Sequence, residues 1–283
     1  MKNLLLASTM LIASATIANA QALTISGEGR MGVMFHHVGV WTWMQENRLH
    51  LDFNVAVEAD HGLTFGAWSR AEISNGATAA FSGSRVWVEA SGVRLTFGNS
   101  DGALATAGTS HGWLGGYMVG YEGGQQGGDA VGLETIAHQE SWTTGGHPAQ
   151  TMLTYTAGDT VVAVSHQRGG STEVGARTSF GAITVAAGYT TDANVWTVSG
   201  HYNGGAWGVG AIVAANNVAT NWALSGNVEV MGGNLYAYGG RRFNDDAFGM
   251  SYGYGLGGSA TATVGAERVG ATTTASIGVA FTF

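Results

Sequence analysis

The pattern G-x-S-x-G, which in acyl-transfer enzymes sets a nucleophilic serine on a sharp turn, occurs around Ser100, Ser110 and Ser251. Glycine fills 47 of 283 positions, so chance matches are expected, and no third group is placed to orient His111, the histidine nearest Ser100 in sequence. Gly27-Glu28-Gly29-Arg30-Met31-Gly32 has the dinucleotide-binding spacing, but no helical period follows to hold a pyrophosphate. The histidines at 36, 37, 50, 61, 111, 138, 147, 166 and 201 lack metal-ligand spacing and read as wall or loop residues. Asn244-Asp245-Asp246 reads first as a solvated loop, with a loop-bound calcium ion as the alternative; no other cofactor is expected. What remains is noncovalent chemistry. The glycine-rich stretch from Asn99 to Ala149 carries Asp101, Glu122, Asp129, Glu134 and Glu140 among Trp113, Tyr117, Tyr121 and Trp142. A connection this long is uncommon in a compact domain unless the loop itself does the work.

The elements that must position this loop are strands, because apolar and polar residues alternate with period two on both sides of it. Leu49, Leu51, Phe53, Val55 and Val57 share one parity, while His50, Asp52, Asn54 and Glu58 share the other. Similar alternation covers Leu23 to Phe35, Leu63 to Ile73, Arg85 to Glu89 and Val93 to Phe97, which makes five strands before the loop. Eleven more follow, at about 149–157, 160–167, 172–180, 182–190, 194–203, 205–214, 220–230, 233–242, 247–256, 259–268 and 271–283. Tight turns at one end and longer loops such as 168–171 and 216–219 at the other fit an antiparallel transmembrane barrel, and an even total brings both termini to one rim. Sixteen strands enclose more room than side chains can fill, so the polar parity should face a water-filled lumen.

Composition agrees. Charged residues are 11% of the chain, against roughly 25% in soluble domains, so something other than water should cover much of the surface. Met1-Lys2-Asn3, the apolar run from Leu4 to Ile17 and Ala18-Asn19-Ala20 read as a secretory signal peptide over 1–20, leaving 21–283 as the barrel. The mature chain then holds ten arginines, no lysine and nineteen acids. A basic nucleic-acid footprint is absent. With no cysteine and a single proline, Pro148 in the long loop, neither disulfides nor thiolate metal sites support the fold.

Leu23 to Gly32, the run from Asn47 through Asp60-His61-Gly62 to Gly66, Gly92-Val93-Arg94-Leu95-Thr96-Phe97-Gly98-Asn99, and the ending Ile277 to Phe283 resemble the trimeric general diffusion porins of alphaproteobacteria. The likeness is tightest over 22–101 and at the C-terminus. It implies an all-β, 16-stranded antiparallel barrel whose long third loop, about 99–148, folds into the lumen and faces a wall of arginines. Arg30, Arg48, Arg70, Arg85 and Arg94 supply the wall, and Asp101, Glu122, Asp129, Glu134 and Glu140 the loop. Opposed charge across a narrow aqueous opening favours small polar solutes over greasy ones.

The resemblance further implies residence in a Gram-negative outer membrane, a homotrimer, and an assembly signal at Phe281 and Phe283 read by the insertion machinery. Nothing would turn over, so no catalytic residue is expected. The competing reading is a substrate-specific channel or a barrel hydrolase using Ser100. Trp196, Tyr202, Trp222 and Tyr189 lie on the apolar parity and are expected at the membrane interfaces. Trp68 and Trp87 fall on the polar parity, towards the lumen.

Overall fold

A computed structural model describes residues 22–74, 80–109, 139–141 and 150–283. Before the long loop come β1 (Ala22–Val38), β2 (Val40–Glu58), β3 (Thr64–Ser74), β4 (Ala80–Phe81), β5 (Arg85–Ala90) and β6 (Val93–Gly98). A short helix, α1 (Ala103–Ala107), opens the loop. After it come β7 (Gln150–Ala157), β8 (Thr160–Gln167), β9 (Thr172–Phe180), β10 (Ile183–Thr190), β11 (Val195–Asn203) and β12 (Trp207–Ala215). The last five are β13 (Thr220–Val230), β14 (Gly233–Arg242), β15 (Asp245–Gly257), β16 (Ala260–Val269) and β17 (Thr272–Thr282).

All seventeen segments join one antiparallel sheet. β4 pairs with Ala71 and Glu72 of β3, and β5 pairs with Thr64 to Trp68 of the same strand, so the two are pieces of one barrel strand. Seventeen less one gives the sixteen strands expected. The ring closes where β1 pairs with β17, from Glu28↔Thr282 to His37↔Thr273. Phe283 completes this seam: its carbonyl accepts the Gly27 N–H at 2.9 Å, and its own N–H reaches the Gly27 carbonyl at 3.1 Å. The rings of Phe281 and Phe283 cover Gly29 and Gly27, where a side chain would collide with them.

The alternation holds in space. Leu153, Tyr155, Val162, Val164, Val174, Trp196 and Val198 are exposed, while Ser165, Glu173, Thr190 and Thr197 on the other parity are buried. A closed barrel that shows its large apolar side chains outward and its polar ones inward suits a lipid surround. Trp196, Tyr202, Trp222 and Tyr189 belong to the exposed set, as expected.

Two expectations change. Residues 36–48, outside the predicted alternation, are strand as well: β1 and β2 run almost without a break through Gly39, whose positive φ of 77° turns the chain in one residue. The two rims also differ less in connection length than expected, although 168–171 and 216–219 are loops where the sequence places them. The connections 168–171, 191–194 and 216–219 have four residues and 243–244 and 270–271 two, close to the tight turns of the other rim. There Ser91-Gly92 and Met231-Gly232 both carry two successive positive φ angles, the twist that two-residue hairpins need.

Candidate functional site

The described start of the long loop is held on the polar face of the barrel by one carboxylate. α1 has no side-chain cap of its own. Instead Glu173 of β9, wholly buried, accepts the Leu104 N–H at 2.9 Å on one oxygen and the Gln139 N–H at 2.6 Å on the other. The Ala103 N–H donates to Ser165 Oγ of β8 at 2.8 Å, and that hydroxyl donates to Gln139 Oε1 at 2.7 Å. Thr197 of β11 donates to the Gly108 carbonyl at 2.7 Å. A negative group at the first turn of a helix is favoured both by the orphan N–H groups and by their dipoles.

Such close approach needs a wall without side chains. A Cβ at Gly175 of β9 would strike the Ala103 carbonyl, and one at Gly188 of β10 would lie 2.8 Å from Gly108 Cα. The segment returning from the loop joins the same anchor, since Gly102 donates to the Gln139 carbonyl at 2.8 Å and Asp101 Oδ1 accepts Ser141 N–H and Oγ at 2.9 and 2.8 Å.

Sequence reasoning passed over Glu173, which it could not distinguish from an acid that only wets the lumen. A usable signal existed: Ser165, Glu173, Gly175 and Gly188 share the inward parity on three consecutive strands.

The five predicted arginines lie on the inward parity of β1, β2, β3, β5 and β6. Most are matched by acids of the same wall. Arg30 pairs with Glu28. Arg48 Nε is 2.6 Å from His50 Nε2, which lies 2.8 Å from Glu72 Oε2, and Arg48 approaches that oxygen to 3.9 Å. Arg70 donates to both oxygens of Asp52, at 2.7 and 3.0 Å. Arg94 Nε donates to Glu89 at 2.6 Å. Arg85 differs. It forms no ion pair among the described residues, and its guanidinium lies 4.1 Å from the centroid of the Trp68 ring. Arg94 covers Trp87 in the same manner at 4.3 Å.

Between this wall and the loop lies a cavity of about 650 Å³, lined by Trp68, Arg85, Trp87, Arg94, Asp101 and Thr154 among others. Of the predicted loop acids, Asp101 and Glu140 are described and exposed. Glu122, Asp129 and Glu134 lie outside the described residues, as do Trp113, Tyr117, Tyr121, Trp142 and His111.

Ser100 is buried and donates to Gln150 Oε1 at 3.2 Å. Asp245 and Asp246 open β15 rather than a loop, opposite Arg242 and Arg241 in the ladder. No cluster of three or more metal-ligating side chains occurs among the described residues.

The sequence profile of Gram-negative porins matches residues 7–277. In solved structures, a doubly substituted variant of the Rh. blastica porin superposes with a TM-score of 0.80 at 21% identity, covering 93% of this chain and 100% of the other. A triply substituted variant of the same porin gives 0.79 at 22% identity and the same coverage. No curated protein sequence matches the chain.

Proposed function

The chain belongs to the Gram-negative porin family, and is thus an outer-membrane channel rather than an enzyme; from that premise we propose that the loop beginning at Asn99 narrows a water-filled lumen through which small hydrophilic solutes and ions diffuse. The observation that carries this reading is Glu173. One buried carboxylate on the inward face holds both α1 at the start of the loop, through Leu104, and the returning segment, through Gln139. Leu104 and Gln139, which flank 105–138 in the sequence, are thereby both held on the inward face.

In this reading Arg30, Arg48, Arg70, Arg85 and Arg94 form one side of the constriction. Asp101 and Glu140, together with Glu122, Asp129 and Glu134, form the other. Four of these arginines have acids or an acid-bound imidazole beside them, so Arg85 is the one of the five without an acid partner among the described residues. Residues 1–20 act as the export signal, the mature chain assembles as a homotrimer, and Phe283 presents the insertion signal. Greasy solutes are disfavoured because they must displace water held by these charges.

Single-channel recording of detergent-extracted protein in a planar bilayer tests the proposal. Ohmic steps that close in three equal parts at high voltage are expected. A silent bilayer with folded protein would mean that the loop plugs the ring and would overturn it.

A further inference from the structure

We infer that an apolar trough on the outward face of β15, β16, β17 and β1 is a site for the phosphorylated glycolipid of the outer leaflet: the trough takes an acyl chain, and Arg268 takes the phosphate. The inference needs the outer-membrane location that the family gives. It does not need the constriction proposed above.

The ladder register shows how the trough is cut. One row of outward residues runs Met250, Ala266, Ala275, Phe35 across four adjacent strands. Two neighbouring alanines between larger side chains leave a gap spanning about 14 Å, three strand spacings. In the next outward row towards the rim that carries the termini, Val264 and Ile277 close it. Towards the other rim it stays open. The hollow measures about 920 Å³, and the outward side chains around its closed part are aliphatic or aromatic.

At the open end the outward row reads Phe248, Arg268, Thr273, His37. Arg268 is exposed and lines the trough. Its Nε donates to the Gly270 carbonyl at 2.9 Å, which holds the side chain at the rim, while its terminal nitrogens donate to no described residue. Thr273 offers a hydroxyl one strand away. Beyond it stands the His37 imidazole, its ring centroid 4.8 Å from that of Trp41. Guanidinium, hydroxyl and imidazole in one row suit the oxygens of a phosphate.

The other outward arginine of this region, Arg241, faces Asp246 across the ladder and lies outside the trough, so its charge is offset locally. Arg268 is the surplus. A positive side chain on a lipid-facing surface is costly unless it reaches an anion, and a second copy laid on this face would bury it against apolar groups without one. The 270–271 connection beside Arg268 belongs to the rim opposite the termini, which is the outer side of such a barrel. There the leaflet of a Gram-negative outer membrane presents phosphates above acyl chains.

Native mass spectrometry of the detergent-extracted protein, titrated with bisphosphorylated lipid A, tests the inference. A saturable adduct is expected. Removal of the lipid's phosphates and Arg268→Gln should each weaken binding by about tenfold, the scale of one hydrogen bond to a charged group. Ala266→Trp, which fills the trough, should weaken it as well, while Arg241→Gln should leave it unchanged. Equal binding of dephosphorylated lipid A or of phosphatidylglycerol, or binding that survives Arg268→Gln, would overturn the inference. So would efficient cross-linking of Ala266→Cys to a second copy in whole membranes, a clean readout in a chain with no other cysteine. Salt conductance should be the same in all variants, since these residues face away from the lumen; its absence from the unsubstituted protein would overturn the pore reading alone.

Discussion

Two arcs of the same inner wall treat polar groups in opposite ways. Along β8 to β11 a buried carboxylate, two hydroxyls and two glycines bind a neighbouring segment so closely that no room is left for water. Along β1 to β6 the charges are more numerous, but most of the arginines pair with acids on their own or the next strand and several stay partly exposed. The difference lies in what each arc faces. A desolvated carboxylate is stable only when its lone pairs are filled, so Glu173 specifies one position for its donors. Paired charges in water specify little by themselves, and they leave the arc open to passing solutes. Holding and passing are thus divided between neighbouring parts of one cylinder.

Removing the anchor should have the largest effect. Glu173→Ala orphans two backbone N–H groups at about 1–3 kcal/mol each, while every ladder hydrogen bond of the barrel stays in place. The expected result is a folded barrel with new protease cleavage within 99–149 and a raised conductance. An unchanged digest would erase the proposed division between the arcs.

Gly188→Val should follow. The new side chain meets Leu104 and Gly108, with a cost of about 1–3 kcal/mol for overpacking. The same change at Gly200 serves as control, because its nearest neighbour is 3.5 Å from the Cβ position. Equal cleavage of the two variants would mean that the glycines do not set the fit of α1.

On the other arc, Asp52→Asn leaves Arg70 without its bidentate partner. The pair is partly exposed, at 26% and 20%, so stability should change by about 1 kcal/mol or less. Selectivity is the better readout: the reversal potential in a potassium chloride gradient should move towards anions. Glu89→Gln should act in the same direction and most weakly. Its pair is the more exposed, a stability change beyond about 0.5 kcal/mol is not expected, and its effect on selectivity should vanish in molar salt.

The fold was legible because a barrel writes its two surroundings into alternate residues, so the count of sixteen and the inward parity survive without any tertiary knowledge. Some of the site was legible for the same reason. A tight turn fixes register, and reflecting β3 through Asp60-His61-Gly62 sets Arg70 opposite Asp52 in the ladder. The turn at Ser91-Gly92 likewise sets Arg94 opposite Glu89. Glu173 was not legible, since its partners stand 69 and 34 residues away in a segment with no period to extrapolate. Residues 36–48 were missed for a local reason: a single glycine closes the hairpin, where a longer turn signature would be sought.

The seam between β1 and β17 bears on how the ring comes into being. Its partners, such as Glu28 and Thr282, are separated by nearly the whole chain, so loop closure for this contact is the most demanding in the molecule. A chain still lacking β17 offers two bare edges, on β1 and β16, to any strand it meets. Closure of the ring removes both edges at once, and Phe281 and Phe283, seated on Gly29 and Gly27, lie on the strand that closes it.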